Sequence, residues 1–170
     1  MSQRKSGYKR KRRDGYDTPE WVTEALLPFI PVPPLVIWEC ATGKGKMARV
    51  LSKAGYTVFQ TDISDGTDFL KAPLSPCDWI ITNPPFALAQ EFIERALSHK
   101  VNFAFLLRVD YDSAVTRAHL FETCRAFSQK IILRKRIRWI EGSKGSPSYN
   151  HAWYIWKKRN NHLPTIGYGP

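Results

Sequence analysis

The sequence predicts a doubly wound α/β domain, in which a mostly parallel sheet carries helices on both faces and ends in an antiparallel C-terminal edge hairpin. Short continuous apolar runs, such as residues 35–38 and 102–107, are typical of parallel strands that are buried on both faces. Segments with helical periodicity alternate with these runs, most clearly over residues 89–97. The last two apolar runs have no helix between them, so we expect them to pair as a hairpin.

Each element has its own local signal. The first helix is expected to begin at Thr18-Pro19, because Thr18 can cap it and Pro19 suits the first helical position, and to end by Pro28. Further helices are expected at about 46–53, after the Pro84-Pro85 turn and over 113–128. Strands are expected at 35–38, 57–60, 78–82 and 102–107, then from 130 to 140 as one long strand or a strand with a bend, and finally at 152–156.

The length and composition suggest one domain with a single sizeable core rather than two domains. With 170 residues, we expect a basic arm at 1–15, a single domain at 16–160 and a tail at 161–170. The chain is 43% hydrophobic, yet no apolar run approaches the roughly 20 residues that a membrane span needs. The polar, basic N-terminus does not read as a secretory signal, and the three cysteines show no paired spacing. These features favour a cytoplasmic protein.

The net charge of +11 is distributed unevenly. The N-terminal arm contains Lys9, Arg10, Lys11, Arg12 and Arg13, and a second group contains Arg134, Arg136, Arg138 and Lys144. Such clusters favour polyanions through phosphate neutralisation, so nucleic acid is the expected partner. We expect the arm to be disordered when free. The alternative is a solubilising tail together with a solvated strand edge.

The most informative segment is Asn83-Pro84-Pro85-Phe86, which directly follows an apolar run. Two prolines cannot continue a central strand, so the chain makes a rigid turn at the edge where an open α/β sheet keeps its ligand crevice. The Asn83 amide oxygen and the Pro84 carbonyl can accept the two hydrogens of an –NH2 group, and a planar ring can stack on Phe86. This arrangement suits a flipped-out nucleobase or the amide of glutamine. An ordinary strand-ending turn is the alternative.

The other candidate residues follow strands whose ends converge on the same crevice. Gly43 and Gly45 let a ligand lie against the backbone, although any tight strand–helix turn favours glycine. Glu39 could meet a cationic amino group, and Asp62 could accept hydrogen bonds from ribose hydroxyls or face water. Asp68-Phe69 offers an acceptor and an apolar edge for an adenine ring, while Phe69 could equally belong to the core.

In this order, the residues resemble class I S-adenosylmethionine-dependent methyltransferases of the adenine-N6 type found in phages and prophages. The resemblance covers roughly residues 16–156. Glu39-x-Ala41-x-Gly43-x-Gly45 looks like the cofactor loop, Asp62 like the ribose-binding acid and Asp68-Phe69 like the adenine-contacting pair. Asn83-Pro84-Pro85-Phe86 resembles the catalytic signature, and Tyr16-Asp17-Thr18-Pro19 resembles the segment that closes over the methionine end.

The resemblance implies a Rossmann-like fold, S-adenosylmethionine as cofactor, and methyl transfer to the N6 amine of adenine in nucleic acid, with DNA favoured over RNA. The implied catalytic residues are Asn83, Pro84, Pro85 and Phe86, and the implied cofactor-binding residues are Thr18, Pro19, Glu39, Ala41, Gly43, Gly45, Asp62, Asp68 and Phe69. Restriction-type relatives usually carry a separate target-recognition domain, for which this length leaves no room. The basic arm and the 134–144 region are then the candidates for holding the substrate.

Two other functions remain open at this point. A protein glutamine N5-methyltransferase would use the same Asn-Pro-Pro signature on a similar amide, and a non-catalytic nucleic-acid-binding protein could retain the fold alone. No metal is expected, because the four histidines show no ligand spacing. His151, which lies beside aromatic residues, is either a substrate contact or structural.

Overall fold

The computed structural model describes residues 16–140 and 149–170. Over these ranges the helices are α1 (Glu20–Glu24), α2 (Lys46–Lys53) and α3 (Ala89–His99). The strands are β1 (Val36–Glu39), β2 (Thr57–Gln60), β3 (Trp79–Thr82), β4 (Asn102–Arg108), β5 (Phe127–Leu133), β6 (His151–Trp156) and β7 (Thr165–Gly169). The basic residues of the arm, Lys9 to Arg13, and Lys144 lie outside the described residues.

All of these strands form one sheet in the order β2-β1-β3-β4-β6-β5-β7. The first four strands are parallel, β6 runs antiparallel to both β4 and β5, and β7 is parallel to β5. The predicted fold class, a Rossmann-like mostly parallel sheet with an antiparallel pair, is therefore confirmed. The expected hairpin is present as β5–β6, but β7 rather than the hairpin forms the edge of the sheet.

The central strands of the sheet are buried on both faces because their alternate side chains enter different clusters. Ile37 and Ile81 pack with residues of α1 and α2 on one face. Trp38 and Ile80, their neighbours in sequence, pack with the apolar side of α3 on the other face. This arrangement leaves the carboxyl ends of the parallel strands as the edge at which loops can build a crevice.

The prediction of a helix over 113–128 is wrong. The chain instead makes two 3-10 turns, Tyr111–Ser113 and Val115–Leu120, and then enters β5 at Phe127. The indole Nε1 of Trp156 donates to the Leu120 carbonyl at 2.9 Å, so a side chain occupies a backbone acceptor that a continuing helix would use. Phe121, packed against the rings of Phe127, Tyr154 and Trp156, anchors the segment in this form.

The strand expected over 130–140, whether straight or bent, is also wrong, because β5 ends at Leu133 and residues 134–140 form no strand. Beyond this point the guanidinium Nε of Arg134 donates to the Gly169 carbonyl at 3.0 Å, and the backbone N–H of Lys135 donates to the Pro170 carbonyl at 3.0 Å. A further strand, β7, which the sequence did not predict, lies within the expected tail. Its parallel pairing with β5, from Gln129–Thr165 to Leu133–Gly169, provides these acceptors.

The start of the first helix differs from the expectation at Thr18. Pro19, not Thr18, occupies the N-cap position, and no side chain caps the helix. Thr18 is instead buried at 5% exposure and contributes to the crevice described below. As expected, the α-helix ends before Pro28, which lies in a 3-10 turn over Leu27–Phe29.

Candidate active site

A cavity of about 380 Å³ opens at the carboxyl ends of the neighbouring strands β2, β1 and β3. Its walls come from four parts of the chain: the segment before α1, the loop from β1 to α2, the turns after β2, and the segment after β3. The sequence-predicted residues that line it are Thr18, Glu39, Ala41, Gly43, Asp62, Asp68, Phe69, Asn83 and Pro85. The structure therefore brings together the residues that strand-end reasoning selected.

The loop after β1 has a shape that depends on glycine. Gly43 has φ +52°, a region that side-chain-bearing residues rarely adopt, and its N–H donates to Asp62 Oδ2 at 3.0 Å. The backbone N–H of Thr42 donates to the Thr61 carbonyl at 3.1 Å, which fixes the loop to the end of β2. Gly45, with φ +71°, forms the N-cap of α2 and lies outside the cavity lining.

Glu39, the last residue of β1, is a buried acid within this lining, with 2% exposure. Burial raises the pKa of its carboxyl to about 8, although the hydroxyl of Thr42, which donates to Oε2 at 3.1 Å, lowers it. A carboxyl in this state is mostly protonated near neutral pH and ionises when a cation approaches. Glu39 can therefore bind a positively charged group of a ligand.

Asp62 is held in the opposite protonation state. Burial acts to raise its pKa, but hydrogen bonds from the Ser64 and Gly43 backbones and the Ser64 hydroxyl outweigh burial and lower the pKa. Its Oδ1 accepts from Ser64 N at 2.9 Å and from Ser64 Oγ at 2.8 Å. A carboxylate oxygen has two lone pairs, so Oδ2, which accepts from Gly43, retains capacity for a ligand hydroxyl.

Asp68 and Phe69 form the wall after β2. Asp68 Oδ1 accepts from the Leu70 backbone at 3.0 Å, and Lys71 lies 3.4 Å from Oδ2 at the surface. Phe69 is 2% exposed and packs against Trp38 and Phe92, with ring centroids 5.2 Å and 4.8 Å away. Phe69 is thus both a core residue and an apolar surface of the cavity.

The four residues Asn83 to Phe86 lie partly at the cavity and partly outside it. Asn83 and Pro85 line the cavity, and the Asn83 Oδ1 atom is buried without a hydrogen-bond partner among the described residues. Pro84 is buried but does not line the cavity. Phe86 also lies outside it, with ring centroids 6.4 Å from Trp139 and 6.0 Å from His151, and it borders a separate depression of about 480 Å³.

The sequence analysis missed several residues of the site. They include Thr42, Ser64 and Leu88, which line the cavity. Asp17, which belongs to the predicted Tyr16–Pro19 segment, also lines it and lies 3.5 Å from the ammonium of Lys44. Trp139 forms an aromatic group with Phe86, His151 and Tyr16. Its position directly after the basic Arg136–Arg138 stretch was a usable signal, which was lost because that segment was assigned to a strand. Pro19 does not line the cavity either.

Of the predicted nucleic-acid contacts, Arg134, Arg136 and Arg138 lie within the described residues, and all three are exposed on the segment after β5. Arg134 is tied to Gly169, as described above, and the guanidinium Nε of Arg136 donates to Asn150 Oδ1 at 2.7 Å. Arg138 is exposed beside the half-buried Trp139. In the described part of the chain, no group of three or more potential metal ligands comes together. Over the same ranges, none of the helices has the length and apolar character to cross a membrane.

No family model matches the sequence, and no curated protein is significantly similar to it. Solved structures do match its fold. The methyltransferase subunit of a type I restriction-modification system from Streptococcus thermophilus superposes with a TM-score of 0.60 at 13% identity, over 86% of this chain and 46% of that one. A putative class I S-adenosylmethionine-dependent methyltransferase from Listeria monocytogenes superposes with a TM-score of 0.62 at 12% identity, over 89% of this chain and 65% of that one.

A putative RNA methyltransferase from Pyrococcus horikoshii superposes with a TM-score of 0.55 at 13% identity, over 84% of this chain and 87% of that one. The chain spans between about half and two thirds of the length of the first two of these structures. At such identities the comparisons establish the fold: this protein has the Rossmann-like fold of class I S-adenosylmethionine-dependent methyltransferases.

Proposed function

We propose that this protein is an S-adenosylmethionine-dependent methyltransferase that acts on the exocyclic N6 amine of adenine in nucleic acid, with DNA favoured over RNA. The observation that carries the proposal is the buried Oδ1 of Asn83 at the wall of the cavity, which has no hydrogen-bond partner within residues 16–140 and 149–170. A buried acceptor without a partner costs folding free energy, about 1–3 kcal/mol, and a ligand amine would satisfy it.

The cavity residues fit S-adenosylmethionine. The ionised form of Glu39 would hold the cationic amino group, and the spare lone pair of Asp62 Oδ2 would accept from a ribose hydroxyl. The glycine loop at Gly43 would let the ligand lie against the backbone, and Phe69 would flank the adenine ring. When bound, the cofactor supplies an activated methyl group, and the protein supplies position.

Asn83 would act on the nucleophile. The lone pair of an adenine amine is delocalised into the ring, which makes the amine a poor nucleophile. By accepting a hydrogen of that amine, Asn83 Oδ1 would draw electron density back to the nitrogen and offset the positive charge that develops there. The Pro84 carbonyl is the second proposed acceptor. Both interactions strengthen as the reaction proceeds, so they favour the transition state.

Nucleic acid is the proposed substrate on the basis of charge. The net charge of +11 includes the arm and the exposed Arg134, Arg136 and Arg138 beside the aromatic Trp139. Cations contact phosphates, and an aromatic side chain can stack with a base taken out of a duplex. Among the proteins of the same fold, one is described as a restriction-modification methyltransferase subunit and one as a putative RNA methyltransferase.

The test measures methyl transfer by Asn83→Ala with radiolabelled S-adenosylmethionine. Asn102→Ala is the matched control, because Asn102 begins β4, at the end of the sheet opposite the cavity. We expect the control to transfer methyl groups normally and Asn83→Ala to lose at least about 100-fold in rate, while both bind the cofactor with unchanged affinity in calorimetry. Mass spectrometry of digested substrate should identify N6-methyladenine. Full turnover by Asn83→Ala would contradict the assignment, and label in protein instead of nucleic acid would favour the glutamine alternative.

A further inference from the structure

His151 lies at the crevice end of the sheet, although it belongs to an antiparallel strand. Thr82, which ends β3, pairs with Phe105 of β4, and Arg108, three residues further along β4, pairs with His151 at the start of β6. His151 is therefore located where Asn83 leaves the sheet, two strands away.

The alternation of side chains places the two residues on the same face. Ile81 and Trp153 both belong to the core cluster on the α1 side of the sheet. Asn83 follows Ile81 by two residues, and His151 precedes Trp153 by two. Because side chains two apart along a strand share a face, His151 projects toward the α1 side, and this is the side on which the alternation of β3 would place Asn83, the first residue after its end.

His151 brings a buried hydrogen-bonding atom to this part of the sheet. The residue is 2% exposed, and its Nδ1 is buried with no hydrogen-bond partner among the described residues. Its ring centroid lies 6.0 Å from that of Phe86 and 5.2 Å from that of Trp139. Trp139 in turn lies 5.7 Å from Tyr16, which lines the cavity. The imidazole is thus a polar group within an aromatic wall next to the Asn83 segment.

The imidazole is uncharged under ordinary conditions, because burial lowers the pKa of His151 to about 4, although hydrogen bonding to the Tyr149 backbone acts to raise it. A neutral ring attracts no phosphate, so its role differs from that of the surface arginines. It keeps one N–H and one lone pair, and both are directional. A polar atom of this kind within apolar surroundings favours a ligand that is planar and has a hydrogen-bonding edge.

We infer that His151 is a specificity-determining residue, whose Nδ1–H donates to a ring nitrogen of the target base while Asn83 holds the neighbouring amine. This inference rests on the proposed function. In adenine the amine is flanked by two acceptors, N1 and N7, and either could receive the N–H. Asn83 and His151 would then recognise the amine and a neighbouring ring acceptor together. The hydrogen-bonding groups along the edge of a base would in this way determine which base is bound.

The experiment measures coupling between the protein and the substrate. Oligonucleotides that carry adenine, 1-deazaadenine or 7-deazaadenine at the target position are methylated by the wild type, by His151→Phe and by His119→Phe, an exposed control. We expect wild type and control to lose about tenfold in kcat/KM on one deaza analogue. His151→Phe should lose a similar factor on adenine and then show no further loss on that analogue.

The outcomes separate the two proposals. Equal losses on the analogues in the wild type and in His151→Phe would overturn the role of His151 and leave the proposed function intact. A wild type that methylates both analogues as well as adenine would also overturn it, and this comparison needs no variant to fold. Absence of methyl transfer to nucleic acid by the wild type would overturn the proposed function, and the inference with it.

Discussion

Replacement of Glu39 by Gln should change how cofactor binding responds to pH. Burial raises the pKa of Glu39 to about 8, from an ordinary value of 4.5. Because the folded-state pKa is raised, ionisation of this group destabilises the fold: the penalty is absent below pH 4.5, grows between pH 4.5 and 8, and is constant above that range. A pKa raised from 4.5 to about 8 corresponds to a penalty of at most about 5 kcal/mol.

The same shift determines how many protons leave on binding. At pH 7 a carboxyl with a pKa of about 8 is about nine tenths protonated, and it must ionise to pair with a cationic amino group. Binding of S-adenosylmethionine should therefore release about 0.9 proton from Glu39 at pH 7. Glu39→Gln, which has the same shape and no charge, should release none from this position and should bind more weakly.

Calorimetry in buffers of different ionisation enthalpy measures this release directly. The slope of binding enthalpy against buffer ionisation enthalpy gives the number of protons exchanged, and the difference between wild type and Glu39→Gln isolates the carboxyl from protons on the ligand. Urea unfolding of the ligand-free proteins provides a second measure, since the stability of the wild type should fall from pH 5 to 8 relative to that of the variant. Identical slopes and parallel stability profiles would refute the reasoning.

Two further predictions concern the loop and the arm. Gly43→Ala and Gly66→Ala both place a side chain at positive φ, +52° and +84°, and should each cost about 1–2 kcal/mol in unfolding free energy. Only the Gly43 variant should also weaken cofactor binding, because Gly43 lines the cavity; equal effects on binding would contradict its role. Removal of residues 1–15 should weaken nucleic-acid binding and reduce its salt dependence, measured by anisotropy from about 50 to 200 mM salt. An unchanged salt slope would exclude the arm from the interface.

The fold was predictable because its central strands carry strong local signals. Continuous apolar runs identified β1, β3 and β4, and the two prolines after Asn83 marked the end of β3. The cavity followed from topology alone, since the polar residues and glycines after β1, β2 and β3 had to meet at one edge. Glu39, Asp62 and Asn83 were found in this way.

The rest of the site depends on contacts between distant parts of the chain. Trp139 contacts Phe86 only because the chain leaves β5 at Leu133, and that departure depends on β7, which has the composition of a loop. Phe86 illustrates the same limit. Its place in the tetrapeptide predicted a ring at the cavity, whereas packing against Trp139 and His151 holds it in the adjoining wall.

The position of β6 has a consequence for how the chain acquires its structure. β6 lies between β4 and β5 in space, yet it follows both in sequence. During synthesis, β1 to β4 can assemble as soon as Arg108 has been made, whereas β5 must wait for both of its neighbours, β6 and β7. Until then its apolar side chains Ile131 and Leu133 have no strand beside them. Premature release from the ribosome, or truncation before Trp156, should therefore yield an aggregating species rather than a smaller folded protein.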